Sequence, residues 1–465
     1  MNENINQKSM DDFIKFNETS LFSDFAELIA IPSVRSEADG NFTFGKNCGL
    51  ALDKALELGR KYGFEAENHD YYCGSIIYKS IESEEEIGIV THLDIVPVGD
   101  GWKFQPFKLT EKDGLFIGRG TEDDKGPMIA ALYAMRYLKE NDIKLPFSVR
   151  LIMGSDEEVG MTDLPHFLET KKPPRFSFTP DSEYPVCIGE KGIAGCDITL
   201  GSIGKVIADI KGGNATNAVP DSAYAVINTE ICFGNKDNIK VERLSSTQIK
   251  VTAAGRAAHA AYPEGSVNAI AVLTDWIIKN IEFEKVSKEY VSLEYLSAIL
   301  SEFEGKNLGI DMSDEESGYL TCIGGVMKIV EGRIVQNINI RYPVTKKMDD
   351  VFALLSRSVI KDGFSVSLLY DKPPYYKNPD SKEIQALMQA YRDVTGRTDV
   401  PYTTGGGTYA RAFPDCVAFG ATFGDVAGLL GDGRGGPHER DEYITKEELF
   451  DSIKIFASSM INLAE

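Results

Sequence analysis

Ile87-Gly-Ile-Val-Thr-His92-Leu-Asp94 is an apolar run that ends on a histidine and an aspartate two positions apart. Such a short stretch, rich in β-branched residues, reads as a strand buried on both faces. GSIIY (74–78) reads the same way upstream. Downstream, Pro127–Glu140 is predicted to be a helix with Met128, Leu132, Met135 and Leu138 on one face. SVRLIMG (148–154) and FSFTPD (176–181) supply two more strands, and Leu21, Phe25, Leu28 and Ile29 form the stripe of an opening helix. Strand–helix alternation of this kind predicts an α/β layer sandwich up to about residue 190.

Beyond that point the pattern changes. VIADIKGG (206–213), AYAVINTEICF (223–233) and TQIKVTAAG (247–255) alternate with period two, as half-exposed antiparallel strands do. Helices are expected at 266–282 and 286–304, then strands in LTCIGGVMKIV (320–330) and RIVQNINIRYP (333–343), a helix at 347–360 and a strand in SVSLLYD (365–371). The stretch looks like an α+β ββαβ module used twice. KPPYYKNPD (372–380) marks its exit, because proline and asparagine break regular structure. The α/β pattern then resumes and closes with a helix carrying Leu449, Ile453, Phe456, Met460 and Leu463. That helix is opened by a Thr445-x-x-Glu448 capping box.

The chain has 465 residues, more than a single core usually supports. A net charge of −22 argues against nucleic acid or an anionic membrane as partner. The opening residues carry no basic patch followed by an apolar stretch, and no run approaches the roughly 20 apolar residues of a membrane span. The seven cysteines are an odd number with no C-x-x-C, which suits a reducing compartment, so a cytoplasmic protein is expected. Cys232 and Cys322 fall in apolar strand-like runs and are expected to be buried.

Five scattered segments end in metal-ligand types: His92, Asp123 in GRGTEDDKGP, Glu158 in GSDEEVG, Asp181 in FTPDSEYP and His438 in GGPHERDEY. Two imidazoles and three carboxylates suit a pair of divalent ions such as Zn²⁺ or Mn²⁺. Asp94, two positions from His92 on the same strand face, is placed to fix the imidazole. Glu157 and Glu158 diverge as neighbours, so one can bind metal while the other faces a bound water as general base. Because His438 must join His92, residues 1–190 and 375–465 are expected to form one discontinuous catalytic domain. Residues 191–374 are then an inserted lid. His259 lies in that insert and is expected to donate to the oxyanion once the lid closes. His69 and His166 sit in polar or helix-edge contexts and are given no direct role.

In order along the chain, HLDIVP, GRGTEDDKGP, DEEVG, PDSEYP, AHAAYPEGSVNA (258–269), GGGTYAR and PHERDEYI resemble the co-catalytic metallopeptidases that include carboxypeptidase G, aminoacylase and carnosinase, and most of all the PepV-type bacterial dipeptidases. The resemblance implies a three-layer, phosphorylase/hydrolase-like zinc-exopeptidase domain and a lid of ferredoxin-like modules. It implies that His92 and Asp181 hold one ion, Glu158 and His438 the other, and that Asp123 bridges them. Glu157 would be the base, Asp94 would orient His92, and the Asp123–Asp124 peptide would be cis. Asn217 and His259 would reach the scissile carbonyl. Arg341 would grip a C-terminal carboxylate, a task suited to a bidentate fork. Gly405, Gly406, Gly407 and Thr408, a turn entering a helix, would offer backbone N–H groups to the same carboxylate.

The function so implied is hydrolysis of small unblocked dipeptides by a metal-bridging hydroxide with Glu157 as base, in a monomer whose long lid supplies His259 from its own chain. An N-acyl or N-succinyl amino acid deacylase is the alternative on the same site. A non-catalytic metal-dependent binding protein is the alternative from another class.

Overall fold

The computed structural model describes residues 7–80, 83–424, 428–431 and 433–465. The chain forms two compact units. One comprises Met1–Ile188, Lys377–Tyr402 and Gly407–Glu465, and the other Gly189–Tyr376 with Thr403–Gly406. Among the described residues no helix is long and apolar enough to cross a membrane.

The first unit is α/β and built on a mixed sheet. Its middle strand, Glu86–His92, runs parallel to Ser148–Gly154 on one side and to Phe176–Thr179 on the other. All three are buried along almost their whole length, which is why their sequences are continuous apolar runs rather than alternating ones. Cys416–Phe419 adds a further parallel strand beside Phe176–Thr179. Antiparallel strands Cys73–Tyr78 and Glu65–His69 extend the other edge. The helix Lys125–Glu140 packs on the strands and on the C-terminal helix Lys446–Asn462. It is buried on nearly every face. The capping box at Thr445 and Glu448 is formed in both directions.

The second unit is β-rich. Eight strands form one sheet, in the order Ile239–Ser245, Gln248–Ala254, Ser222–Asn228, Ile207–Gly212, Thr321–Val330, Arg333–Tyr342, Gly192–Ser202 and Ser365–Lys372. Ala269–Asn280, Lys288–Ile299 and Met348–Lys361 are its helices, and their apolar faces close its core with the sheet. The strand expected to continue to residue 233 stops at Asn228, with one further bond from the Thr229 N–H to the Thr247 carbonyl at 2.9 Å. Cys232 is therefore exposed, contrary to the sequence expectation, while Cys322 is buried in the strand Thr321–Val330. All seven cysteines are free thiols.

Candidate active site

The three parallel strands of the first unit bring their carboxyl ends to one edge of the sheet, where ligands commonly bind in open α/β folds. His92 is the last residue of its strand and lies opposite Gly154 in register. Asp156, Glu157 and Glu158 form the turn after Gly154, and Asp181 follows Thr179 by two residues. Position 154 has no room for a side chain. A Cβ there would stand 2.0 Å from the Tyr409 hydroxyl and 2.5 Å from Asp163 Oδ2.

Asp123 precedes the helix Lys125–Glu140, and the Asp123–Asp124 peptide is cis. Asp124 occupies the N-cap position but caps nothing with its side chain. Its Oδ2 instead accepts the N–H of His92 at 3.1 Å, tying the helix start to the strand end. His438 comes from a loop and sits in the left-handed region at φ 64°.

These segments converge into two groups of ligand atoms that share one residue. His92, Asp123 and Asp181 form one group, and Asp123, Glu158 and His438 the other. Asp123 Oδ1 lies 2.8 Å from His92 Nε2, and Oδ2 lies 3.1 Å from His438 Nε2. His438 Nε2 is also 3.0 Å from Glu158 Oε2, and His92 Nε2 is 3.9 Å from Asp181 Oδ2.

The donor set fits divalent cations. His92 Nε2 and Asp123 Oδ1 are buried with no hydrogen-bond partner, although they face each other. His92 Nδ1 donates to the Asp94 carbonyl at 3.0 Å, which leaves the Nε2 lone pair for a ligand. Burial opposes a charged His92 ring, but Asp123, Asp181 and Asp94 hold its pKa well above the usual value. Asp123 and Glu158 push His438 up to about 11. Burial, with Asp123 beside it, pushes Glu158 up to about 7. Burial and the Asp181 carboxylate push Glu157 well above the ordinary carboxyl range. Cations of higher charge can displace protons from these groups, so metal affinity and proton release are coupled here.

Asp94 does more than the sequence indicates and does it differently. Its carboxylate is 3.5 Å from His92 Nδ1, farther than its own carbonyl. The two carboxylate oxygens accept the N–H groups of Glu157 and Glu158, at 3.2 and 3.1 Å. Asp94 thus holds the Glu157–Glu158 turn as well as the ring. Asp163 braces the same turn, accepting from the N–H groups of Ser155 and Asp156 at 2.6 and 2.9 Å and from the Tyr409 hydroxyl.

Two further residues, Arg119 and Glu442, escaped the sequence reading. Glu442 is fully buried and receives Arg119 Nη1 at 2.6 Å. It also accepts the N–H groups of Gly120, Glu122 and Asp123 at 3.0, 2.9 and 3.2 Å. Arg119 Nη2 in turn donates to the His438 carbonyl at 3.2 Å. One buried ion pair therefore fixes both Asp123 and the His438 loop. Glu442→Ala is expected to destabilise the chain by about 3–5 kcal/mol, since it leaves a buried guanidinium and three N–H groups without their acceptor. A lowered midpoint in urea unfolding checks this.

The remaining histidines lie apart from both ligand groups. His69 is buried, bonded to Ser75 Oγ at 2.8 Å, and burial lowers its pKa to about 4. His166 pairs with Asp70 and stacks on Tyr72.

In the second unit, His259 lies on the strand Ala258–His259 opposite Ala218, and Asn217 lies in the turn just before Ala218; both are exposed, and the Ala260 N–H donates to the Asn217 carbonyl at 2.9 Å. Arg341 is buried; its Nε donates to Asn339 Oδ1 and its Nη1 to the Gly405 carbonyl, each at 2.9 Å. Gly405 thus presents a carbonyl to Arg341, and Gly406 donates its N–H to Thr404 Oγ1 at 3.0 Å. Thr408 caps the short helix Tyr409–Ala412, and Gly407 precedes it in the first unit.

Known proteins bear on this arrangement. The sequence pattern of peptidase family M20/M25/M40 matches residues 88–462. "Putative dipeptidase YtjP" of Bacillus subtilis is 32% identical over 96% of this chain and 97% of its own length. "Putative dipeptidase SSP1012" of Staphylococcus saprophyticus is 30% identical over 97% of this chain and 98% of its own. The fold is shared with human carnosine dipeptidase 1, with a TM-score of 0.60, 16% identity, and coverage of 98% of this chain and 99% of that one.

Proposed function

Since the chain belongs to peptidase family M20/M25/M40 and is a metallopeptidase acting on small peptides, we propose that it is a dipeptidase that cleaves unblocked dipeptides. The observation that carries the two-metal hydrolase in this reading is the position of Asp123, whose Oδ1 faces His92 and Oδ2 faces His438. The names of its relatives support the dipeptide as substrate.

On this reading His92 and Asp181 would hold one divalent ion and Glu158 and His438 the other, with Asp123 contributing to both groups. Zn²⁺ suits the set best and Mn²⁺ is also accepted. When bound, the ions supply an activated water and polarise the scissile carbonyl. The chain's own groups do the rest. Glu157 accepts the proton of the attacking water and delivers it to the leaving amine. Asp94 sets the position of that carboxylate through the backbone of its turn. His259 Nδ1 accepts the N–H of Ala261 at 3.3 Å, so the ring proton lies on Nε2, the donor that an oxyanion needs. Asn217, beside it, assists at the same carbonyl. Arg341, aligned by Asn339 and Gly405, fixes the C-terminal carboxylate and so limits length. The turn at Gly405–Thr408 frames that end of the substrate. We propose also a monomer of the PepV type, each chain using its own His259, with the cytoplasm as its compartment.

The test is a substrate panel with the metal removed and each ion returned in turn. Ala-Ala and β-Ala-X dipeptides are expected to turn over faster than N-acetyl and N-succinyl amino acids, with activity lost on chelation. Faster turnover of the acylated compounds would reassign the chain to amino acid deacylation.

A further inference from the structure

The second unit contains a cavity of about 470 Å³, within the range of small-molecule sites. Of the residues to which the proposed function gives substrate contacts, Gly405 lines it, and lining residues bond or pair with Arg341 and His259. Gly405, on its wall, is the residue whose carbonyl receives Arg341. Ala261, also on the wall, donates to His259. Thr321 lines it as well, pairs with Arg341 across the sheet, and bonds the Ala260 carbonyl at 2.8 Å.

The wall offers apolar and aromatic surface more than unsatisfied charge. Leu320 is fully buried behind it, Phe303 is half-buried, and Tyr262 and Tyr319 are 59% and 66% exposed. Four of the five charged residues in the wall are engaged locally, and the fifth, Glu264, is exposed. Glu302 accepts the N–H groups of Glu304 and Asn307 at 2.6 and 3.2 Å, and Lys306 pairs with Glu304 at 2.5 Å. Lys191 Nζ donates to the Tyr319 carbonyl at 2.5 Å.

We propose that this cavity receives the side chain of the substrate's C-terminal residue and selects a large apolar or aromatic one. The inference rests on the dipeptidase reading, in which Arg341 holds that residue's carboxylate. Carboxylate and side chain leave the same Cα, so the pocket for one must adjoin the site for the other. Gly405 belongs to both.

The experiment compares kcat/KM for Ala-Gly, Ala-Ala, Ala-Leu, Ala-Phe and Phe-Ala on the metal-loaded enzyme and its Tyr319→Ala variant. Tyr319 suits the purpose because the residue is exposed and its carbonyl, which Lys191 needs, survives the change. The enzyme is expected to prefer Ala-Phe and Ala-Leu to Ala-Gly by roughly tenfold or more. Tyr319→Ala should lower Ala-Phe turnover by roughly tenfold while Ala-Gly and Phe-Ala stay within about twofold. Equal use of Ala-Phe and Ala-Gly by the unaltered enzyme, or an equal loss on every substrate in the variant, would overturn the pocket and leave the dipeptidase reading standing. No turnover of any dipeptide would remove that reading and the pocket with it.

Discussion

Glu157→Ala is expected to keep its full metal content and lose about 10²–10⁴-fold in kcat, with KM little changed. The split follows from where the residue lies. Glu157 belongs to neither group of ligand atoms, so removing its carboxylate takes no donor from a cation. Its backbone stays in place, because Asp94 holds the turn through N–H groups that alanine retains. What disappears is the carboxyl proposed to accept the proton of the attacking water and release it to the leaving amine. Elemental analysis of the purified variant beside its steady-state kinetics separates the two effects. Near-normal turnover would remove Glu157 as the proton carrier, and loss of metal would make it a ligand.

The second large effect is expected at Asp123. Asp123→Ala should abolish tight binding of both ions and bring activity to background, whereas His438→Ala should weaken one ion and spare the other. The contrast arises because Asp123 faces His92 with one oxygen and His438 with the other, while His438 belongs to a single group. The loop itself should persist, since Glu442 grips the Asp123 N–H rather than its side chain. Metal content of the two variants after dialysis, measured against the unaltered protein, reads the difference. Equal losses would mean that the two groups do not meet at this aspartate.

Much of this geometry can be read from residues because strand ends leave a mark in sequence. IGIVTH and FSFTPD are apolar runs cut short by a polar ligand type, and a buried parallel strand can produce little else. The division into an α/β part and a β-rich part is legible for the same reason, as periodicity changes near residue 190. What stayed hidden depends on contacts between distant positions. Arg119 and Glu442 look like ordinary surface charges in GRG and RDEY, and nothing in their spacing signals that they form a buried pair. Asp94 was legible as a neighbour of His92, but its hold on the Glu157 and Glu158 amides needs the fold. Cys232 was misread because an apolar run outlasted its strand, whose end is set by hydrogen bonding rather than by composition. Thr403–Gly406 joins the second unit from a remote part of the chain, and no local feature announces that return.

Calorimetric titration of the metal-free chain with Zn²⁺, checked by elemental analysis of the product, bears most directly on the shared aspartate. Two tightly held ions per chain are predicted, with protons released as they bind. Saturation at a single ion, or no tight binding at all, would contradict the paired site built around Asp123.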